Sequence, residues 1–280
     1  MDRRPIGFFD SGLGGLTCIP YVMKALPDER VIYFGDTART PYGSKAESTI
    51  RSFSLEIADF LVENGAKMIV IACNTVSATC LGDLRARHPG VPMLGIIGPA
   101  ARAVAGRCGP ENRIGIIGTK ATIRSGAYSH EILGLNGALD ISQAACPALV
   151  PLIEEGIIQH EIMDLSIKYY LDHFLSYNGI DTLVLGCTHY PLIRGNIQRL
   201  YPSLDIVDPS EEILSSIDGV LADMGMRAGK RPTGEADAGR GARGPDHVFY
   251  ASDLSENFVN MINRILGPAD FNAAFRSIRL

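Results

Sequence analysis

Displaced by 114 residues, the chain reads over itself: DFLVENGAKMIVIACNT (59–75) lies on HFLSYNGIDTLVLGCTH (173–189), and Cys73 falls on Cys187. Phe60, Leu61, Asn64, Gly65 and Val70 likewise meet Phe174, Leu175, Asn178, Gly179 and Val184. In each copy the pattern predicts a helix stopped by Asn-Gly, where glycine accepts the left-handed conformation of a helix end. A short apolar run of strand length follows, ending at a cysteine with a small polar residue beyond it. A shift of 108 adds a weaker match, PIGFFDSG (5–12) over RIGIIGTK (113–120), which sets Ser11 opposite Thr119. Repetition at near-constant offsets is the mark of a duplicated unit.

The unit is of α/β type. Apolar runs at Ile6–Phe9, Val31–Phe34, Met68–Ala72, Met93–Ile97, Ile114–Ile117, Leu183–Leu185, Ile206–Val207 and Val248–Tyr250 read as buried strands. Between them, Lys45–Glu63, Val76–His88, Thr122–Leu133, His160–Tyr177, Glu211–Met224 and Glu256–Leu266 read as helices. Such alternation specifies mainly parallel sheets. The expected architecture is therefore two pseudosymmetric α/β domains with a cleft between them. Residues 1–97 together with 208–280 are expected to form the first, and 98–207 the second. In open α/β sheets ligands bind beyond the carboxyl ends of the strands, so the symmetry puts Cys73 and Cys187 on opposite walls of the cleft. The segment 225–247, rich in Gly and Arg, reads as a surface loop.

Composition excludes several classes. A net charge of −5 offers no basic footprint for nucleic acid. The longest apolar runs have strand length and fall far short of a membrane span. The apolar run after MDRRP is broken by Asp10, too early for a signal-peptide core, so a cytoplasmic protein is expected. The six cysteines (Cys18, Cys73, Cys80, Cys108, Cys146, Cys187) form no C-x-x-C pair, and free thiols are expected rather than disulfides or a zinc site.

Two opposed thiols suit one task well. Inverting a carbon centre requires removing a proton from one face and returning one to the other, which two fixed groups, a thiolate and a thiol, do without moving. A cysteine titrates near enough to neutrality for either form to be reachable. Developing negative charge then needs donors nearby. ACNTVSA places Asn74 and Thr75 after Cys73, and GCTHYPLI places Thr188 and His189 after Cys187. FFDSGLGG supplies Asp10 and Ser11 in a glycine-rich turn, and GDTARTPYG ends in a Pro41-Tyr42-Gly43 turn. The glycine-rich turn matches neither G-x-x-x-x-G-K-[ST] nor G-x-G-x-x-G, so a nucleotide site is not supported.

The phrases FFDSGLGG, FGDTARTPYGSK, ACNTVSA and GCTHYPLI, in this order and spacing, together with GTKATIRSGAY and CPALVPLIEEG, are similar to those of the glutamate racemases, within the aspartate/glutamate racemase superfamily. The resemblance covers nearly the whole chain outside 225–247. It implies that Cys73 acts on the D-enantiomer and Cys187 on the L-enantiomer, with Asp10 assisting near Cys73 and His189 and Glu154 near Cys187. It implies that Ser11, Asn74, Thr75, Thr119, Thr122 and Thr188 hold the amino and carboxylate groups, and that Pro41, Tyr42 and Gly43 receive the side-chain carboxylate. It also implies no pyridoxal phosphate and no metal, a bacterial homodimer, and a supply of D-glutamate for peptidoglycan. Two departures stand out: Val76 replaces a common Ala, and Asp208-Pro209-Ser210, read as a hinge or strand end, replaces Asp-Ser-Gly.

Taken singly, these residues have plainer readings: Asp10 as a turn residue or cap, Thr119 and Thr122 as caps, Tyr42 as packing, and Glu154 as an exposed helix residue of the first turn. Three other functions compete. An aspartate racemase would share both cysteines, although Thr188-His189 favours glutamate because aspartate racemases typically carry Glu in place of that His. A Cys–His hydrolase would use Cys187 and His189 alone, and a two-lobed amino-acid-binding module would use neither thiol chemically.

Overall fold

The computed structural model describes residues 1–229, 246–267 and 273–278. Among the described residues ten strands form two sheets: β1 (Ile6–Asp10), β2 (Val31–Gly35), β3 (Met68–Ile71), β4 (Met93–Gly95), β5 (Arg113–Gly118), β6 (Asp140–Ala145), β7 (Thr182–Gly186), β8 (Asp205–Val207), β9 (His247–Ala251) and β10 (Ala273–Ser277). The first sheet runs β10-β9-β2-β1-β3-β4 and the second β6-β5-β7-β8, and every pairing is parallel. The repeat is thus a repeat of topology. The order β2-β1-β3-β4 recurs as β6-β5-β7-β8, with the duplicated phrases on β3 and β7. The later strands β9 and β10 extend the first sheet past β2.

Burial on both faces explains the unbroken apolar runs of the central strands. Phe8, Phe9, Val70, Ile71, Val184 and Leu185 are fully buried, and each such side chain contributes about 1.5–3 kcal/mol by leaving water. The long helices Glu47–Glu63 and Glu161–Asn178 precede β3 and β7. Each chain reversal uses a glycine with positive φ, 79° at Gly65 and 62° at Gly179. Among the described residues, no helix is long and apolar enough to cross a membrane.

Several predicted elements differ in extent. The strand expected over Met93–Ile97 stops at Gly95, and Ile97 already opens an unpredicted helix, Ile97–Arg107. The single helix expected over Val76–His88 is two, Asn74–Thr79 and Leu81–Arg87, broken at Cys80, whose ψ of −2° leaves the helical range. The helix expected over Thr122–Leu133 breaks at Gly126, left-handed at φ 66°. Strand β6, DISQAA, has no apolar run that would predict it. It is an edge strand, half-exposed and without an apolar face. Asp208 stands directly after β8, at the strand end, and caps the helix Pro209–Asp223, accepting a 2.8 Å bond from the Ser210 N–H. Most of the segment expected as a surface loop, residues 230–245 of 225–247, lies outside the described residues.

Candidate active site

Each inner strand of the two sheets delivers its polar residues at its carboxyl end. In both sheets the chain crosses to one side after the first strand and to the other before the third, which opens a crevice beyond β1/β3 and beyond β5/β7. Asp10 ends β1, Cys73 stands two residues past β3, Thr119 follows β5 and Cys187 follows β7. The two crevices open on one cavity. It is lined by Ser11, Pro41, Tyr42, Gly43, Cys73, Asn74, Thr75, Thr119, Cys187, Thr188 and His189. The remaining expected residues, Asp10, Thr122 and Glu154, stand behind that lining and are bonded to it. The lining also includes Thr40, Ser44, Lys120, Pro147, Val150 and Pro151, which are not among the residues expected from the sequence. Thr40 and Lys120 adjoin expected residues in the chain, and that adjacency was the available signal.

On the first wall, the Cys73 Sγ lies 3.3 Å from the Ser11 Oγ. Burial pushes the Cys73 thiol up to about 12, the negative charge of Asp10 adds to the effect, and the Ser11 hydroxyl and the backbone N–H groups of Val76 and Ser11 oppose it. These effects together favour the thiol form of Cys73. Asp10 is wholly buried. Burial raises its pKa, against the charge of His189, the N–H groups of Gly15 and Gly12 and the Thr188 hydroxyl. Its Oδ2 accepts from the Gly12 N–H at 3.0 Å, and its Oδ1 accepts from the Thr188 Oγ1 at 3.3 Å.

The second wall is a chain of three groups. His189 Nδ1 lies 3.7 Å from the Cys187 Sγ, and its Nε2 lies 3.1 Å from the Glu154 Oε1. Burial alone would favour the neutral ring. Hydrogen bonds and negative charge from Cys187 and Glu154 outweigh it and hold His189 well above the usual histidine range. An imidazolium beside Cys187 stabilises negative charge on that sulfur. Glu154 is the last residue of the short helix Leu149–Glu154, not part of a first turn.

Three threonines close the cavity between the sheets. Thr75 Oγ1 lies 3.0 Å from Thr119 Oγ1 and 3.3 Å from Thr122 Oγ1, and Thr119 caps the helix Lys120–Ser125 by accepting from the Thr122 N–H. Thr119 therefore both caps this helix and lines the cavity. Tyr42 is buried, and its hydroxyl donates to Asp36 Oδ2, so this turn presents its backbone rather than a free phenol. Glycine at position 14 permits the approach of the two sheets. A Cβ there would stand 2.3 Å from Thr188 Oγ1 and 2.6 Å from His189 Nδ1. The remaining cysteines, Cys18, Cys80, Cys108 and Cys146, are buried free thiols. Among the described residues, no group of three His, Cys, Asp or Glu side chains is disposed to hold a metal ion.

Comparison with known proteins identifies the family of this chain. Residues 17–216 match the Asp/Glu/Hydantoin racemase family. Glutamate racemase from Geobacter metallireducens is 43% identical over 272 residues, covering 95% of this chain and 94% of that protein. Among solved structures, glutamate racemase from Francisella tularensis, in complex with D-glutamate, superposes with a TM-score of 0.87 at 32% identity, covering 99% of this chain and 98% of the other. The glutamate racemase isoform RacE1 from Bacillus anthracis gives a TM-score of 0.89 at 31% identity, covering 100% and 99%. The chain belongs to the glutamate racemase family, within the Asp/Glu/Hydantoin racemases, and is an amino-acid racemase.

Proposed function

We propose that this enzyme interconverts L- and D-glutamate by two-base proton transfer between Cys187 and Cys73, without cofactor or metal. The observation that carries the reading is that two thiols at equivalent strand ends line one cavity. From L-glutamate, the Cys187 thiolate takes the α-proton while the Cys73 thiol delivers its own proton to the opposite face. Afterwards Cys187 is the thiol and Cys73 the thiolate, the state that accepts D-glutamate. His189, paired with Glu154, offsets charge on the Cys187 sulfur. On the other side, Asp10 and the Ser11 hydroxyl act around Cys73 and the substrate amino group.

The electron pair released at the α-carbon moves into the α-carboxylate, and donors preorganised at that group lower the barrier. In this reading Asn74, Thr75, Thr119, Thr122 and Thr188 hold the amino and α-carboxylate groups. The backbone of the Pro41-Tyr42-Gly43 turn receives the side-chain carboxylate, since the Tyr42 hydroxyl is committed to Asp36. The same reading makes the two lobes residues 1–97 with 208–280 and residues 98–207, and the enzyme a cytoplasmic bacterial homodimer supplying D-glutamate for peptidoglycan.

The Cys187–His189–Glu154 chain also has the order nucleophile, base and orienting acid of a thiol hydrolase. That alternative gives Cys73 no work. Circular dichroism of L-glutamate with the purified protein and a chelator separates the readings. Decay of ellipticity to zero is expected, with glutamate preferred over aspartate by about 10- to 200-fold in kcat/KM, the value of one methylene in a fitted site. Unchanged ellipticity, with a burst of product from an activated ester, would favour the hydrolase.

A further inference from the structure

Asn74 is 2% exposed, and its fully buried Nδ2 has no hydrogen-bond partner among the described residues. Such a donor carries a desolvation cost that something must offset. The other end of the same amide is firmly held: the Tyr128 hydroxyl donates to Asn74 Oδ1 at 2.5 Å. Tyr128 lies on the helix Ala127–Leu135, which follows β5, whereas Asn74 opens the helix that follows β3. The bond therefore joins the two halves of the molecule. Burial, with the charges of Asp208 and Cys187, keeps the phenol protonated, so the phenol is the donor and Oδ1 the acceptor. With Oδ1 taken by the phenol, the NH2 group of the amide is directed away from Tyr128.

The Tyr128 ring meets the second wall as well. A Cβ built on Gly186, the residue before Cys187, would stand 3.2 Å from Tyr128 Cε2, so the ring rests against the backbone that carries the second thiol. One side chain thus touches the residue after Cys73 and the residue before Cys187.

We infer that Tyr128 is a positioning residue that fixes the Asn74 amide with its N–H donors toward the cavity, where they bind a carboxylate of the amino-acid substrate. The ligand class follows from the chemistry. An unpartnered N–H needs an acceptor, and an amino acid with a protonated amine offers acceptors only on its carboxylates. This assignment rests on the racemase reading of the cavity and adds to it a residue outside the lining, 54 positions along the chain from its partner.

A double-mutant cycle on the full-length enzyme tests it, because two residues acting through one interaction are not additive. Tyr128→Phe keeps the ring and is expected to lower kcat/KM for glutamate about tenfold. Asn74→Ala is expected to lose at least as much, and Tyr128→Phe added to Asn74→Ala is expected to cost nothing further. Equal losses from Tyr128→Phe in both backgrounds, or no loss in the wild-type background, would overturn the assignment. Should Tyr128→Phe not fold, Asn74→Asp decides: it keeps an acceptor for Tyr128 but turns an acceptor toward the substrate. Weaker glutamate binding by Asn74→Asp than by Asn74→Ala is expected, and equal or tighter binding would overturn the proposal. A wild-type enzyme that leaves L-glutamate optically unchanged would overturn the functional reading and this assignment together. Racemisation by the wild type with additive variants would overturn this assignment alone.

Discussion

Glu154 Oε1 lies 3.1 Å from Nε2 of His189, whose other ring nitrogen faces the Cys187 sulfur at 3.7 Å. Glu154, not its neighbour Glu155, is the carboxylate bonded to this ring. The carboxylate thus orients the imidazole and favours its charged form, which stabilises negative charge on the sulfur.

Removing the carboxylate charge should weaken the whole chain. Hydrogen bonds to charged groups contribute about 1.5–3 kcal/mol, so Glu154→Gln is expected to lower kcat/KM by about 10- to 100-fold. Because enantiomers are equal in free energy, the loss must be the same for L- and D-glutamate. Glu154 helps to raise the pKa of His189, so its loss also moves the alkaline limb of the pH–rate profile to lower pH. Polarimetric assays of both enantiomers across pH check this. An unshifted profile with full activity would remove Glu154 from the site.

Cys73 should behave as a hard-to-ionise thiol in the empty enzyme. Its pKa is pushed up to about 12 by burial and by Asp10, and only the thiolate alkylates. Iodoacetamide labelling at Cys73, followed by mass spectrometry, is therefore expected to accelerate about tenfold per pH unit from roughly pH 7 to pH 9, without a plateau. A plateau in that interval would place the ionisation much lower and contradict the thiol form assigned here.

The strand ends that form the cavity were legible because they end continuous apolar runs, and because Cys73 and Cys187 carry the same phrase twice. The contacts made through folding were less visible. His189 and Glu154 are 35 residues apart, and nothing in a helical LVPLIE announces that its last residue turns back to a distant imidazole. Tyr128 escaped notice for the same reason, as a buried aromatic in an amphipathic helix looks like packing. Strand β6 escaped because DISQAA is half-exposed at a sheet edge and has no apolar periodicity to read. By contrast, the break at Gly126 had a local signal in its Ser-Gly dipeptide, a turn former that continuous periodicity on either side overrode.

Asp208 gives the fold a pH dependence separate from catalysis. Burial raises its pKa from 3.8 to about 6, against the N–H and hydroxyl of Ser210. The folded state therefore binds the proton more tightly than the unfolded state. This contribution is complete below pH 3.8 and is lost as pH rises through about 6. The difference is worth about 3 kcal/mol at most. Asp208→Asn keeps a cap for the Ser210 N–H and cannot ionise. Urea midpoints for the variant are expected to match the wild type near pH 4 and to exceed it near pH 7.5, and equal midpoints at both pH values would contradict the assignment.

The central claim, that two different groups move the proton, is tested most directly by racemising L-glutamate in D2O and reading each enantiomer at early times. Chiral separation with mass spectrometry gives the isotope at the α-carbon of substrate and product. The expected result is D-glutamate carrying deuterium while the remaining L-glutamate keeps protium, because the proton taken by Cys187 is not the one delivered by Cys73. Turnover should be abolished in both Cys73→Ala and Cys187→Ala. D-glutamate that retains the original protium, or racemisation that survives the loss of either thiol, would contradict the two-base account.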